Sequence, residues 1–197
     1  MDDLVRQALA RWPNVPDCYG WLALDARGRW RIGTDRQTIS HAPMSAFIHR
    51  NTLADAAGRW YFQNGPQRVW IELECTPWVW RLVPDADGVP RPEDQGGARA
   101  QAITEAWLTD AGAFLLVADG RVGVVHDHDV PLVLEHLRAP DGTQLDEDEL
   151  DARLLDLQEG RAGAGLALAL PGQPRLPLRP ITDAAVPGHF GFVRTPS

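Results

Sequence analysis

The sequence predicts an α+β fold: antiparallel, hairpin-rich sheets with a few packed helices. Three observations carry this expectation. Short runs of alternating apolar and polar residues recur along the chain, which is the period of a half-buried strand. Those runs are punctuated by Asp-x-x-Gly and Asn-Gly turn signals. The apolar fraction of 44% and charged fraction of 23% are those of an ordinary folded protein.

The first helix is expected over residues 4–11 and stops at Trp12, because Pro13 disfavours helical backbone in the residue before it. Cys18 to Ile32 then reads as two strands joined at Asp25-Ala-Arg-Gly28, with Asp opening the turn and glycine closing it. Leu22 and Leu24 share one strand face, as do Trp30 and Ile32, leaving Arg29 and Arg31 on the other side. A short helix over 43–50 follows, with Met44, Phe47 and Ile48 at helical spacing and Ser40 as its cap.

Asp55-Ala-Ala-Gly58 repeats the turn chemistry and opens the strongest hairpin signal, 59–74, with Asn64-Gly65 between alternating runs. A two-residue loop there sets Trp60 opposite Val69, Tyr61 opposite Arg68 and Arg59 opposite Trp70. Trp60, Phe62, Val69, Ile71 and Leu73 fall on one face; Arg59, Tyr61, Arg68 and Trp70 fall on the other. A third strand over 78–82 continues this sheet.

Residues 84–100 are rich in proline and glycine and read as a linker or long loop. It separates an N-terminal hairpin-rich half, 1–83, from an acidic α+β half, 101–197, and the two can also form one compact domain. In the second half, 103–108, 113–118 and 121–126 read as strands, with turns at Asp110-Ala-Gly112 and Asp119-Gly120. Helices are expected over 130–137 and 147–157, the latter with an acidic first turn that suits the helix dipole. The last strands are expected at 166–170 and 190–193. The halves share an outline in which His41 matches His126, and 171–175 loosely matches the hairpin tip at 63–68. A diverged duplication and a chance similarity of hairpins both fit.

All 19 basic residues are arginine. Residues 1–83 hold 10 arginines against 8 carboxylates, whereas 84–197 hold 9 against 19. That acidic balance argues against a nucleic-acid partner, although tryptophan alternating with arginine on strands also fits single-strand stacking. The N-terminal residues lack the pattern of a signal peptide, no apolar run is long enough to cross a bilayer, and a cytoplasmic protein is expected. Cys18 and Cys75 sit in no metal or redox spacing and are read as reduced thiols, a disulfide remaining open on sequence alone.

Cys18-Tyr-Gly-Trp-Leu-Ala-Leu-Asp25, Gly28-Arg-Trp-Arg-Ile32, Phe47-Ile-His-Arg-Asn51, the run from Gly58 to Glu74 and Pro77-Trp-Val-Trp-Arg-Leu82 together form a distinctive pattern. It resembles a proteobacterial family of chains of similar length with no assigned function. The resemblance is specific over 12–82 and looser through Gly123-Val-Val125 and Asp127-His-Asp129. It implies a bacterial cytosolic protein and carries no catalytic residues, substrate or cofactor.

Two sites stand out. On the 59–70 hairpin, Arg59, Tyr61, Arg68 and Trp70 suit cation–π contacts and anion recognition, with Gln63, Asn64 and Gln67 at the tip. The structural alternative is a ladder that merely holds the sheet. His126-Asp-His-Asp129 is the densest group of potential metal ligands, His126 and His128 sharing one face if the segment is a strand. Its structural alternative is a strand end followed by a helix capped by Asp129. No phosphate loop, dinucleotide fingerprint or nucleophile elbow occurs, and no cofactor is expected. The leading reading is therefore a non-catalytic binding or protein-interaction module using the Arg/aromatic hairpin face, with a protein or a small anionic ligand as partner. An enzyme with a site assembled from dispersed residues is the rival, and a metal protein using His126 and His128 a further one.

Overall fold

Aspartate-centred turns build most of the hairpins. The Asp25 side chain accepts from the amides of Arg27 and Arg29 at 3.0 and 2.9 Å, and Asp55 repeats this with Ala57 and Arg59 at 3.0 and 2.9 Å. Each carboxylate thereby fixes an Asx turn that a left-handed glycine completes. Gly58, at φ +76°, allows nothing else: a Cβ there would stand 2.2 Å from the Gly191 carbonyl oxygen. The computed structural model describes residues 1–161, 163 and 165–197, and its α+β fold divides into two compact units.

The first unit comprises Met1–Pro77 and Pro187–Ser197. It contains α1 (Asp3–Arg11), β1 (Cys18–Leu24), β2 (Trp30–Ile32), β3 (Gln37–Thr38), α2 (Ala42–Arg50), β4 (Thr52–Ala54), β5 (Trp60–Asn64) and β6 (Gln67–Leu73). These strands form one sheet in the order β3-β2-β1-β6-β5-β4, antiparallel except for the central parallel pair β1–β6. Leu22, Leu24, Trp30, Phe62, Ile71 and Leu73 are buried together with Ile48 of α2. Phe47 of α2 meets Phe62 edge-on at 5.6 Å, which seats the helix on that face.

Three expectations are corrected here. The cap of α2 is His41, whose Nδ1 accepts from the Met44 amide at 3.3 Å, and not Ser40. The 59–74 hairpin pairs Tyr61 with Trp70, Gln63 with Arg68 and Asn64 with Gln67, so its loop is Gly65-Pro66. Gly65 at φ +57° precedes a proline that cannot donate to the ladder, and that combination moves the turn one residue along. The two predicted faces survive, because the cross-strand partners slip by two positions. Finally, residues 78–82 join the second sheet and do not extend the first.

The second unit spans Trp78–Val186. It holds β7 (Trp78–Pro84), β8 (Pro90–Glu93), β9 (Ile103–Thr109), β10 (Phe114–Ala118), β11 (Arg121–Val125), α3 (Val130–Glu135), β12 (Leu137–Arg138), α4 (Glu147–Gln158), β13 (Leu166–Leu168) and β14 (Leu176–Ile181). The sheet order is β12-β13-β14-β9-β10-β11-β7-β8, with β9–β14 and β7–β11 parallel. Trp80, Leu108, Phe114, Leu116, Leu168 and Leu178 are among the residues of its core.

Residues 84–100 are not featureless: β8 lies within them, between turns centred on Asp85 and Asp94. Residues 176–181 form an interior strand despite Pro177 and Pro180, two residues that have no amide to place in a ladder and so hide the strand pattern. Residues 190–193 are not a strand: α5 (Val186–Phe190) ends there, and Val193 makes only an isolated bridge to Arg59.

The two sheets share one connectivity. The order β3-β2-β1-β6-β5-β4 recurs as β11-β10-β9-β14-β13-β12, with a helix after the third strand and a central parallel pair. The match extends to side chains. Asn51 and His136 each follow that helix and bond the carbonyl four residues back at 2.9 Å. Their own carbonyls accept the amides of Gln63 and Ala169, each at 2.9 Å. His41 and His126, which occupy matched positions in the sequence, each cap the helical segment that follows, where Ser40 and Asp129 were the expected caps.

Candidate functional site

The seven residues singled out on the hairpin do not form one patch. Period-two alternation places Arg59, Tyr61, Gln63, Arg68 and Trp70 on the outer face of the first sheet, away from α2. Asn64 and Gln67 lie on the α2 side, where they line a largely apolar groove of about 320 Å³ with Leu22, Ile48 and Phe62. Gln63 is 1% exposed and donates to the Gly65 carbonyl at 2.9 Å, so it serves the turn.

The outer face carries an Arg/aromatic ladder. Trp70 stacks on Tyr19 at 5.7 Å, meets Tyr61 edge-on at 5.3 Å and donates its Nε1–H to Asp17 at 2.9 Å. The Arg59 guanidinium lies 4.6 Å from the Trp70 ring centroid, and Arg68 lies 5.0 Å from that of Tyr61. These are the two cation–π pairs expected from the sequence, reached diagonally and not directly across the strands. Trp70, however, is only 2% exposed, so it forms the floor of the ladder and not its surface. Arg59 is tied to Asp55 by its Nε at 2.9 Å. Burial acts to raise the Asp55 carboxyl, but the hydrogen bonds from Arg59 and Ala57 outweigh it and hold the group below its usual 3.8. Arg68 is exposed, and among the described residues no carboxylate lies within ion-pair distance of it.

A second feature of the same face had no counterpart in the sequence reading. Ala23 pairs with Arg31 on one side and Glu72 on the other, and its small side chain leaves a hollow of about 460 Å³. Asp25, Arg36 and Glu74 complete its charged lining. Arg31 donates its Nε to Asp25 at 2.8 Å and also contacts the Thr38 hydroxyl. Burial acts to raise the Asp25 carboxyl; hydrogen bonds from Arg29, Arg31 and Arg27 outweigh it and hold the group below 3.8. Arg36, in left-handed backbone at φ +54°, ion-pairs with Glu72 through Nη2. Its Nη1 is buried and has no hydrogen-bond partner among the described residues. The alternation of Arg29 and Arg31 was a legible signal for one wall; Arg36 comes from a turn that carried none.

The histidine cluster is built differently from the expectation. His126 is not followed by strand but by a 3-10 turn, Asp127–Asp129, which it caps by accepting the His128 amide on Nδ1 at 3.1 Å. The rings of His126 and His128 pack edge to face at 4.9 Å. Asp129 makes no cap hydrogen bond; its carboxylate takes Arg81 Nε at 2.6 Å and the Leu82 amide at 3.0 Å. Burial lowers the His126 pKa below 6.5, with Asp127 opposing. Among the described residues no group of three or more His, Cys, Asp or Glu side chains could hold a metal ion.

Comparison with known proteins places the chain in a family context. The family model DUF2944, described as "Protein of unknown function (DUF2946)", matches residues 1–197. A solved DUF1285 family protein from Silicibacter pomeroyi DSS-3 is similar at 14% identity and a TM-score of 0.51, over 91% of this chain and 96% of that one. Another DUF1285 family protein, from Shewanella baltica OS155, aligns at 12% identity and a TM-score of 0.41, over 58% of this chain and 90% of that one. No curated protein matches.

Proposed function

The chain belongs to the DUF2944 family, whose function is unknown, and from that premise we propose that it is a non-catalytic binding module. Its ligand-contacting surface is the outer face of the first sheet, where Arg68 and Tyr61 stand over the Trp70 floor beside Arg59. The observation that carries this reading is the contrast between the two arginines. Arg59 has its charge met by Asp55, whereas exposed Arg68 is held over Tyr61 without a carboxylate partner among the described residues. A guanidinium so placed presents its fork to an anionic group, a carboxylate or phosphate on a protein or small molecule.

The enzyme reading draws instead on the hollow beside Ala23. There Asp25 and Glu72 are engaged by Arg31 and Arg36 in ion pairs, the arrangement of a surface that holds charge. Binding accounts for both features with fewer parts. We also place the protein in the cytoplasm, a reading supported by Cys18 and Cys75, which stand as thiols. No helix among the described residues is long and apolar enough to cross a membrane.

Amide chemical shifts followed during titration with inorganic phosphate and with a short oligoglutamate peptide test the proposal. Saturable changes are expected at Tyr19, Tyr61 and Arg68, and Arg68→Ala removes them without moving the melting temperature. Shifts that survive Arg68→Ala, or that scatter over the surface, sink the reading.

A further inference from the structure

The two sheets share an order but end differently. In the second unit β11 is an interior strand, because β7 pairs along it with Trp78 at Gly123, Val79 at Val124 and Trp80 at Val125. β3 holds the same place in the first unit, and Gln37 pairs with Ile32 as Gly123 pairs with Leu116. Among the described residues no strand lies beyond β3, and both Gln37 and Thr38 are exposed. Because the Ile39 amide donates inward to the Trp30 carbonyl, alternation turns the Thr38 amide and carbonyl out to the open edge. β7 also brings cover for the core of its unit. Trp80 donates its Nε1–H to the Leu116 carbonyl at 3.0 Å, and Trp80 and Leu82 pack in one cluster with Leu116 and Val133. The first unit lacks that cover. Ile32 is 41% exposed where Leu116 is 1% exposed, and it lines the groove of about 320 Å³ together with exposed Trp21 and Met44.

We propose that β3 is the docking edge for an extended acidic segment of a partner protein, which adds to the sheet as a strand and seats alternate aliphatic side chains in this groove. Three observations point to that occupant. The outward amide and carbonyl of Thr38 supply backbone pairing, and the groove beside Ile32 takes the inward side chains. Charge sets the sign. Residues 26–50 hold five arginines and one carboxylate, whereas the equivalent stretch, 111–135, holds one arginine and four carboxylates. There Asp129 draws in Arg81 of the added strand at 2.6 Å. The equivalent residue here is Met44, three beyond the capping His41 as Asp129 is three beyond His126. Asp25 and Glu72 answer Arg29, Arg31 and Arg36 with two carboxylates for three guanidinium groups, so the margin keeps positive charge for acidic partner residues. Size follows from Gln37. A Cβ at Gly123 would stand 2.5 Å from Trp80 Nε1, so the Trp80 indole needs that glycine. Gln37 carries a side chain at that place, which suits an incoming leucine or valine and rejects a tryptophan.

The edge does not use Arg68, so its test is separate from that of the anion surface. The full chain is titrated with a short peptide that alternates glutamate with leucine and valine, and with its lysine counterpart, while amide shifts are recorded. The acidic peptide is expected to give saturable shifts at Ile32, Gln37 and Thr38, and the lysine peptide to bind at least about tenfold more weakly. Thr38→Pro removes the outward amide without costing a ladder bond, and should abolish binding in a protein that still melts cooperatively. Met44→Asp, which brings the second unit's carboxylate to the groove, should weaken binding about tenfold or more. Arg68→Ala should leave these shifts in place; their loss in that variant would assign the binding to the outer face and overturn the proposal. No saturable shift with the acidic peptide, equal binding of the two peptides, or unchanged binding in Thr38→Pro would each overturn it as well. So would concentration-dependent shifts at Gln37 and Thr38 without peptide, which would give the edge to a second copy of the chain.

Discussion

Ala23 and Trp107 hold the same place in two sheets of one connectivity, on the central strand between a hairpin partner and a parallel partner. Around them the inward neighbours barely differ: Leu24 pairs with Trp30 as Leu108 pairs with Phe114, and all four are buried. The outward neighbours differ completely. Ala23 sits between Arg31 and Glu72, whereas Trp107 sits between Leu115 and Arg179. Connectivity and core packing are therefore what the two units share, and the outer face is where they differ.

The sharpest way to break the comparison is to empty the filled unit. Trp107→Ala removes a ring that is 8% exposed and should cost about 3–5 kcal/mol in urea unfolding. A loss under about 1 kcal/mol would mean that the ring is not what completes that face. The equivalent turn residues come next. Asp25 serves two amides and two arginines, whereas among the described residues Thr109 Oγ1 serves only the Ala113 amide, at 2.9 Å. Asp25→Ala is expected to cost about 2–3 kcal/mol and Thr109→Ala about 1 kcal/mol. Because the folded Asp25 carboxyl is depressed below 3.8, its contribution is present above that pH and fades as pH falls through the folded value; Asp25→Ala should flatten that part of the acid limb.

A smaller effect separates the capping histidines. Folding lowers the His126 pKa below 6.5, so stability is full above about that pH and declines as pH falls towards the folded value. Asparagine keeps a capping oxygen without titrating, and denaturation of His126→Asn should lose that slope. An unchanged slope would assign it elsewhere. Least of all, Ala23→Trp should shift stability by under about 0.5 kcal/mol, since the hollow is open and the substitution disturbs no core residue. A large loss there would show that the hollow cannot take the ring its counterpart carries.

Much of the fold was legible wherever the determining chemistry is local. Asp25–Gly28, Asp55–Gly58 and Asp119–Gly120 turn as their residues dictate, and α4 begins at the Asp146 cap before its acidic first turn. What was missed depends on distant neighbours. Asn64-Gly65 is a hairpin signal by itself, but Pro66 has no amide to place in a ladder, and the loop shifted to accommodate it. Residues 176–181 went unread because prolines at 177 and 180 disfavour an interior strand, which pairing on both sides nevertheless secures. On the candidate face, the arginine–aromatic pairs could be read from period-two alternation, whereas the burial of Trp70 under Tyr19 could not. The hollow was invisible because it exists only once β1 lies beside β6 and Arg36 swings in from a turn.

That parallel seam also governs how the chain reaches its structure. Antiparallel arms such as β1–β2 and β5–β6 are closed by short turns and can zip within about 1–10 μs. Leu22 and Ile71, like Ala106 and Leu178, are brought together only by closing a long stretch of chain, which charges its entropy before any contact repays it. Folding rates should therefore respond to Ile71→Val more than to changes in the outer arms, and a φ-value near zero at Ile71 would place seam closure after the barrier. Each unit is in this sense two quick hairpin arms waiting on one slow encounter, and the strand pair at the middle of the sheet is its kinetic latch.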